Sequence, residues 1–355
     1  MARIVIVGAG VVGLTTALEL LNQPNTHHRV TVVGSQIPTD FQFITNYTSP
    51  FAGANWDSFA THEEVEQQKI DAVGYKRFKK LAQDRPESGV IERVNYHFIT
   101  KDKFIANGSE IDIPWFGRSD EYNLERIESF DHALFSYAYK FDGFVISTTY
   151  YLSFLWNECI KSGRFDLQRK TVQSLEEAFY VHQDGVRADL VINCSGLRAR
   201  ELVPDPAVHG VRGVTILVEN NVNLKDVIVV ETNEKEFPDE ELYIMPRKEG
   251  GLVIGGCFQI GNEKETTVSD QQLMRILSRA LEYLPDLNWT DFNIVRKQVG
   301  FRPYRKGGLR IERDPKVKGV IHCYGHGGAG YQGSWGSAVK VVKLVDEYLG
   351  GLPRL

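Results

Sequence analysis

The sequence predicts an α/β fold in which a parallel, helix-flanked sheet, built from separated stretches of chain, is interleaved with a second, β-sheet-rich domain of α+β character. Three observations predict it. Ile4-Val5-Ile6-Val7 runs directly into Gly8-Ala9-Gly10-Val11-Val12-Gly13 and then into a stretch with helical spacing. A second strand–glycine turn–helix pattern fills the far end of the chain, from Gly319 onward. Between them, Gly/Pro clusters at 49–54, 203–213 and 246–256 punctuate a chain that carries further strand-like runs.

Residues 4–7 are four apolar, β-branched residues in a row, the pattern of a strand buried on both faces. Gly8 permits a tight turn, Gly10 lets the backbone approach a pyrophosphate, and Gly13 lets the helix pack closely on the sheet. The N-terminal N–H groups of that helix, at Val11 and Val12, are then free to hold phosphates. A second strand at 30–33 closes a βαβ unit of the ~30 residues that a Rossmann-like dinucleotide-binding motif requires. The acidic residue expected after that strand is replaced by Gly34-Ser35-Gln36, which leaves Ser35 to bond a ribose hydroxyl. This fingerprint alone does not separate NAD from FAD.

A third strand of the same sheet is expected at 188–193, ending in Cys194-Ser195-Gly196. A fourth is expected at 319–322, followed by a helix with Ala338, Val341, Val342, Val345 and Leu349 on its apolar face. Other helices are expected at 62–82, 150–161 and 270–284, and strands at 225–231, 252–258 and 295–299. The dinucleotide-binding domain is thus discontinuous, formed by residues 1–60, 145–200 and 300–355. Residues 61–144 and 201–299 form the substrate-binding and interface domain.

Composition narrows the function. The 355 residues are 42% hydrophobic and carry 41 basic against 46 acidic side chains, a net charge of -5, without the clustered basic surface of a nucleic-acid-binding protein. No run approaches the ~18 apolar residues of a membrane span, and no signal peptide is visible, so a soluble intracellular protein is expected. Four scattered cysteines, Cys159, Cys194, Cys257 and Cys323, lack metal-ligand spacing and read as reduced, buried thiols; no metal is expected. The chain has no HExxH, no Gly-x-Ser-x-Gly elbow and no phosphate-binding GxxxxGK[ST].

The remaining chemistry-bearing stretch is Gly300-Phe301-Arg302-Pro303-Tyr304-Arg305. In an extended chain residues i and i+3 face opposite ways, so at most one of the two guanidiniums serves a given pocket. Spacing alone leaves Arg302 open between a buried ion pair and a bidentate clamp for a substrate carboxylate.

The whole chain resembles the FAD-dependent D-amino-acid oxidases, most closely their yeast and fungal members. The motifs that carry the resemblance are GAGVVGLTTA from Gly8, then Thr48-Ser49-Pro50-Phe51-Ala52-Gly53-Ala54-Asn55-Trp56, then Asn193-Cys194-Ser195-Gly196-Leu197. They continue with Leu242-Tyr243-Ile244-Met245-Pro246-Arg247, Gly255-Gly256-Cys257-Phe258, Gly300-Phe301-Arg302-Pro303, and the run from His322 to Gln332. The resemblance implies non-covalent FAD, held by Gly8, Gly10, Val11, Val12, Gly13, Ser35, Thr48, Ser49, Ala52, Gly53, Ala54, Asn55 and Val172. It adds Cys194, Ser195, Gly196, Arg302, Gly328, Ala329, Gly330, Tyr331 and Gln332 to that set. Arg302 would pair with the substrate α-carboxylate and Tyr243 would hydrogen-bond to it. Gln332 and Ser334 fall in the stretch whose backbone carbonyls receive the substrate amine, and Asn55, Phe59 and Phe258 line the pocket.

The sequence departs from the family's yeast pattern at four places. Phe258 stands where a second pocket tyrosine is usual, Val214 where a glutamine is, and Cys323 where an asparagine is. Only residues 314–318 separate Arg313 from the last strand, so the long loop that carries dimer contacts in a yeast member is missing; a homodimer is expected only on the resemblance. The implied reaction is oxidative deamination of neutral D-amino acids to 2-oxo acids, ammonia and H2O2, by hydride transfer from Cα to flavin N5, with O2 as acceptor. D-Aspartate oxidation, and an amine oxidase acting on glycine or sarcosine, are the alternatives. Arg247, Arg305 and His326 are the candidates for gripping a second carboxylate. The acidic run Glu234, Glu236, Asp239, Glu240 and Glu241 speaks against dicarboxylates. The terminal Pro353-Arg354-Leu355 resembles a variant of the Ser-Lys-Leu address, which implies a peroxisomal import receptor as partner and the peroxisome as location.

Overall fold

Strand Arg3–Val7 lies in the middle of a six-stranded sheet, and its two faces explain its sequence. Ile4 and Ile6 bury themselves with Leu14, Val341 and Val345 on one side, while Val5 and Val7 pack with Val172, Phe179 and Val191 on the other. A strand covered by apolar layers on both faces has no position left for a polar residue. A computed structural model describes residues 1–350 apart from 41–44, 128–132, 234–236 and 285–286. Glu234, Glu236 and the terminal Pro353-Arg354-Leu355 therefore lie outside the described residues.

The order across this sheet is Arg310–Arg313, Val320–Tyr324, Leu190–Asn193, Arg3–Val7, Arg29–Gly34, Phe165–Arg169. Every neighbouring pair is parallel except the first, which is antiparallel. Helices Val11–Leu21, Thr148–Lys161 and Ser334–Gly350 bury apolar residues in the core on one face. The two edge strands escape the sequence pattern because Phe165–Arg169 and Arg310–Arg313 mix charged and apolar residues and have no fully buried position.

Among the described residues the second sheet has ten strands. Its main path runs Gln259–Ile260, Val208–Glu219, Gly251–Cys257, Glu240–Pro246, Val227–Glu231, Val90–Thr100, Phe135–Ile146, Asn55–Trp56. Ile294–Arg305 also pairs with Val208–Glu219, and Glu125–Ile127 with Phe135–Ile146. Helix Asp270–Tyr283 buries Leu273, Ile276 and Leu277 against this sheet's Ile216, Leu242 and Ile254.

Two expected boundaries shift. The ladder of Ile294–Arg305 runs unbroken through Val299↔Val214, Arg302↔Val211 and Arg305↔Val208, so residues 300–305 belong to the second sheet rather than to the dinucleotide-binding pieces. Helix Val65–Asp84, expected with the substrate-binding pieces, packs Tyr75 and Phe78 into the core that holds Ile4 and Leu14. Among the described residues no helix is long and apolar enough to cross a membrane.

Candidate active site

One cavity of about 1080 Å³ runs from the Gly8 turn of the first sheet to Arg302 on the second. At the first end, Gly8 has φ +119°, and a Cβ there would lie 2.2 Å from the Cys194 carbonyl oxygen, so only glycine fits the turn. Helix Val11–Leu21 starts at Gly10 without a side-chain cap, and Ser49 Oγ accepts the Val11 N–H at 3.1 Å. The turn is braced from below, where Tyr47 donates its hydroxyl to the Ala9 carbonyl at 2.8 Å. Tyr331 donates to the Ser49 carbonyl at 2.8 Å, and Thr48 to the Phe301 carbonyl at 2.8 Å, which ties the turn to the strand of Arg302.

These residues fit FAD. The helix N-terminus, the glycine turn, Ser35 and Gln36 at the end of the second strand, and Val172 with Ser195 and Gly196 all face one elongated space. A cavity above the usual ~300–1,000 Å³ of small-molecule sites suits a dinucleotide with room for a substrate beyond it.

At the other end Arg302 and Tyr243 converge. The Arg302 guanidinium donates from Nη1 to the Cys257 carbonyl at 2.8 Å, its Cζ lies 5.5 Å from the centre of the Phe258 ring, and its charge acts on the Tyr243 hydroxyl. A Cβ on Gly213 would come within 2.7 Å of Arg302 Nη1, and one on Gly255 within 2.0 Å of Tyr243 Cζ. Both glycines exist to leave room for the two anchors. Burial pushes the Tyr243 hydroxyl up to about 12, against the opposing pull of the Arg302 charge, so it stays a neutral donor. Phe258 brings no hydroxyl, and its ring stacks edge-on to Tyr304 at 5.1 Å.

The expected site residues separate into those that line the cavity and those that do not. Gly8, Gly10, Val11, Val12, Ser35, Thr48, Ser49, Ala52, Gly53, Ala54, Asn55, Phe59 and Val172 line it, as do Cys194, Ser195, Gly196, Tyr243, Phe258, Arg302, Gly328, Gly330, Tyr331 and Gln332. Gly13, Ala329 and Ser334 do not. A Cβ on Gly13 would fall 1.9 Å from the Gly8 carbonyl oxygen, so Gly13 serves helix packing. Ser334 is fully buried in the first turn of Ser334–Gly350, where its hydroxyl donates to the Tyr331 carbonyl at 2.9 Å. Gln332 donates its amide to Asp71 Oδ2 at 3.0 Å, and its backbone oxygen abuts Gly74, so it braces the loop instead of offering a carbonyl to the cavity.

The three candidates for a second carboxylate are likewise engaged elsewhere. Arg247 bonds to Thr148 Oγ1 at 3.0 Å and the Ala52 carbonyl at 2.9 Å. Arg305 pairs with Asp205 at 2.9 Å. Burial pushes His326 down to about 4, and its Nε2 meets Ser337 Oγ at 2.9 Å, so it is neutral. Of the acidic run, Glu240 lies at the cavity wall with its carboxylate paired to Arg275 at 2.8 Å and Arg279 at 3.2 Å.

Sequence reasoning missed Tyr304, which packs against Gly327 at the cavity wall, and a charged group on its far side. There His97 Nε2 lies 3.0 Å from Asp57 Oδ2, while its Nδ1 lies 3.0 Å from the Tyr139 hydroxyl and 3.5 Å from Glu231. Burial opposes its charge, but Asp57 and Glu231 prevail and raise His97 to about 9, so it is protonated. Asp57, His97 and Glu231 come from three strands or strand ends, and no local signal could have joined them.

Comparison with known proteins agrees with this geometry. The family model for FAD-dependent oxidoreductases of the DAO type matches residues 3–344. D-amino-acid oxidases of Fusarium vanettenii and Schizosaccharomyces pombe are each 32% identical, covering 97% and 96% of this chain and 96% and 95% of their own. A D-aspartate oxidase of Talaromyces thermophilus is 29% identical over 97% of this chain and 95% of its own. Among solved structures, glycine oxidase of Bacillus cereus shares the fold, with a TM-score of 0.73 at 19% identity over 99% of this chain and 96% of that one. The chain belongs to the DAO family of FAD-dependent oxidoreductases.

Proposed function

We propose that this protein oxidatively deaminates D-amino acids, giving 2-oxo acid, ammonia and H2O2. The observation that carries the reading is the convergence of Arg302 and Tyr243 on the end of the cavity away from the glycine turn. Arg302 meets the α-carboxylate with a planar fork of donors, and the Tyr243 hydroxyl adds a neutral donor to the same group. Phe258 closes the floor behind the guanidinium and keeps water from competing for it. Bound FAD supplies the two-electron acceptor for the Cα hydrogen and passes the electrons to O2.

The chain's own task is placement. Tyr243 stays protonated and Phe258 carries no titratable group, so neither of these two neighbours of Arg302 acts as a base at neutral pH. A carboxylate fixed by two donors holds Cα in one position, and that alone can supply a large part of a rate enhancement. With Arg247, Arg305 and His326 committed elsewhere, none of the three is left to grip a second carboxylate, which favours substrates other than D-aspartate.

An H2O2 assay over D-Ala, D-Met, D-Asp, sarcosine and the matching L-isomers tests the reading. Turnover of D-Ala and D-Met but not of the L-isomers is expected. Activity confined to D-Asp or to sarcosine would overturn it.

A further inference from the structure

The wall of the cavity beyond Arg302 holds an unbalanced charge. Strand Glu240–Pro246 alternates: Glu240 and Leu242 are buried toward helix Asp270–Tyr283, while Glu241 and Tyr243 are the more open of the four residues at the cavity wall. The neighbouring strand runs antiparallel with Val229↔Tyr243 and Val230↔Leu242 in register, and Glu231, the residue after Val230, stands close enough for its charge to act on Glu241. Cross-strand partners share a face, and two like charges set opposite one another are unfavourable. Glu231 is answered by protonated His97 at 3.5 Å. Glu241 makes no ion pair or hydrogen bond among the described residues and meets Arg302 and Lys103 only through their field.

The charges facing this chamber are uneven. Asp57, Glu63, Asp112, Glu231 and Glu241 stand against protonated His97, Lys103 and Arg302, and a substrate carboxylate neutralises Arg302. Glu241 is ringed by protein yet open to the cavity, and burial lifts its carboxyl above the ordinary range while the Arg302 charge opposes the lift. A carboxylate held in that state is stabilised by any cation brought to it. The two anchors place a substrate's head at Tyr243, and Glu241 lies two residues along the same face, about 7 Å away. Val229, directly opposite Tyr243 on the cavity wall, offers an apolar surface over that span. An alkyl stem of three or four carbons ending in a cation fills this path.

We infer that Glu241, backed by Glu231, is a specificity-determining residue that selects D-amino acids whose side chain ends in an ammonium or guanidinium group. The inference rests on the proposed D-amino-acid oxidation and names its substrate class. It accounts for the loss of a dicarboxylate grip by the same charge that creates the cationic one.

The experiment compares kcat/KM for D-lysine, D-norleucine (lysine without its ammonium), D-alanine and D-glutamate in the FAD-loaded protein. D-Lysine is expected to exceed D-norleucine about tenfold, the scale of one partly screened charge pair. In Glu241→Gln that ratio should fall to about one, and in Glu241→Lys the ratio of D-glutamate to D-lysine should rise above its wild-type value. A wild-type ratio at or below one, or a ratio that Glu241→Gln does not move, overturns the inference. The wild-type ratio is decisive even where a variant does not fold. If D-alanine is turned over but D-lysine gains nothing, the subsite alone fails; if no D-amino acid yields H2O2, the proposed reaction itself fails.

Discussion

At the glycine-turn end of the cavity the protein presents backbone: a left-handed Gly8, an uncapped helix start and a loop tied down by Tyr47, Tyr331 and Thr48. At the Arg302 end it presents side chains carried by strands that meet only in the folded sheet. Arg302 comes from Ile294–Arg305, Tyr243 from Glu240–Pro246, and the glycines that make room for them from Val208–Glu219 and Gly251–Cys257. A pyrophosphate is recognised by N–H groups that every sequence possesses, so the first end demands an absence of side chains. A carboxylate with one face presented for reaction demands particular side chains at fixed distances. Damage to the two ends should therefore show up in different observables.

The largest separation is expected between Gly8→Ala and Arg302→Ala. A methyl group at Gly8 meets the Cys194 carbonyl oxygen in a conformation that side chains rarely adopt, so the purified protein should lose its flavin absorbance. Arg302→Ala should keep the flavin and lose about a thousandfold in kcat/KM for D-alanine, the cost of leaving a carboxylate unpaired in a cavity. Unchanged kcat/KM in Arg302→Ala would break the comparison, because the substrate end would then not depend on its charged anchor.

Gly255→Ala sharpens the contrast because it adds a methyl group without removing a polar atom. The new Cβ falls 2.0 Å from Tyr243 Cζ, so the ring must leave its place. About a hundredfold loss of kcat/KM is expected, with flavin content retained. Tyr243→Phe removes one neutral donor and leaves the ring, and should cost about tenfold, mostly in KM. If Gly255→Ala costs no more than Tyr243→Phe, the glycine matters little to the placement of the ring.

The same contrast decides what could be read before folding. Gly8, Gly10 and Gly13 lie within six residues, between a strand and a helix whose periodicities are plain, so the cofactor end was legible as a contiguous string. Arg302 stood out only as one of two arginines with either of two meanings, and the family's motifs were needed to choose. The expected division at residue 300 cuts one strand in two, because spacing within 295–305 does not show that its ladder with Val208–Glu219 continues to Arg305. Glu240 and Glu241 are adjacent in an acidic run, yet one is an internal ion-pair partner and the other faces the cavity. Only the strand's alternation against a known neighbour distinguishes them. Ser334 shows the same limit: it opens helix Ser334–Gly350 two residues after cavity-lining Gln332, and resemblance over a stretch does not say which residues turn inward.

The smallest expected effect tests whether the far wall of the substrate end is held by charge. His97 is raised from 6.5 in the open chain to about 9 in the fold by Asp57 and Glu231, against the cost of its burial. A raised value means that the folded state binds the proton more tightly than the unfolded state does. The stabilisation is thus fully present below about pH 6.5 and is lost as the pH climbs through about 9. Scanned between pH 7 and 10, the wild-type melting temperature should fall by a few degrees more than that of His97→Gln, which has no proton to lose. Parallel curves for the two proteins would mean that His97 is neutral in the fold. Glu231 would then lose the charge that protonated His97 sets against it, and the two glutamates would share the field of Lys103 and Arg302.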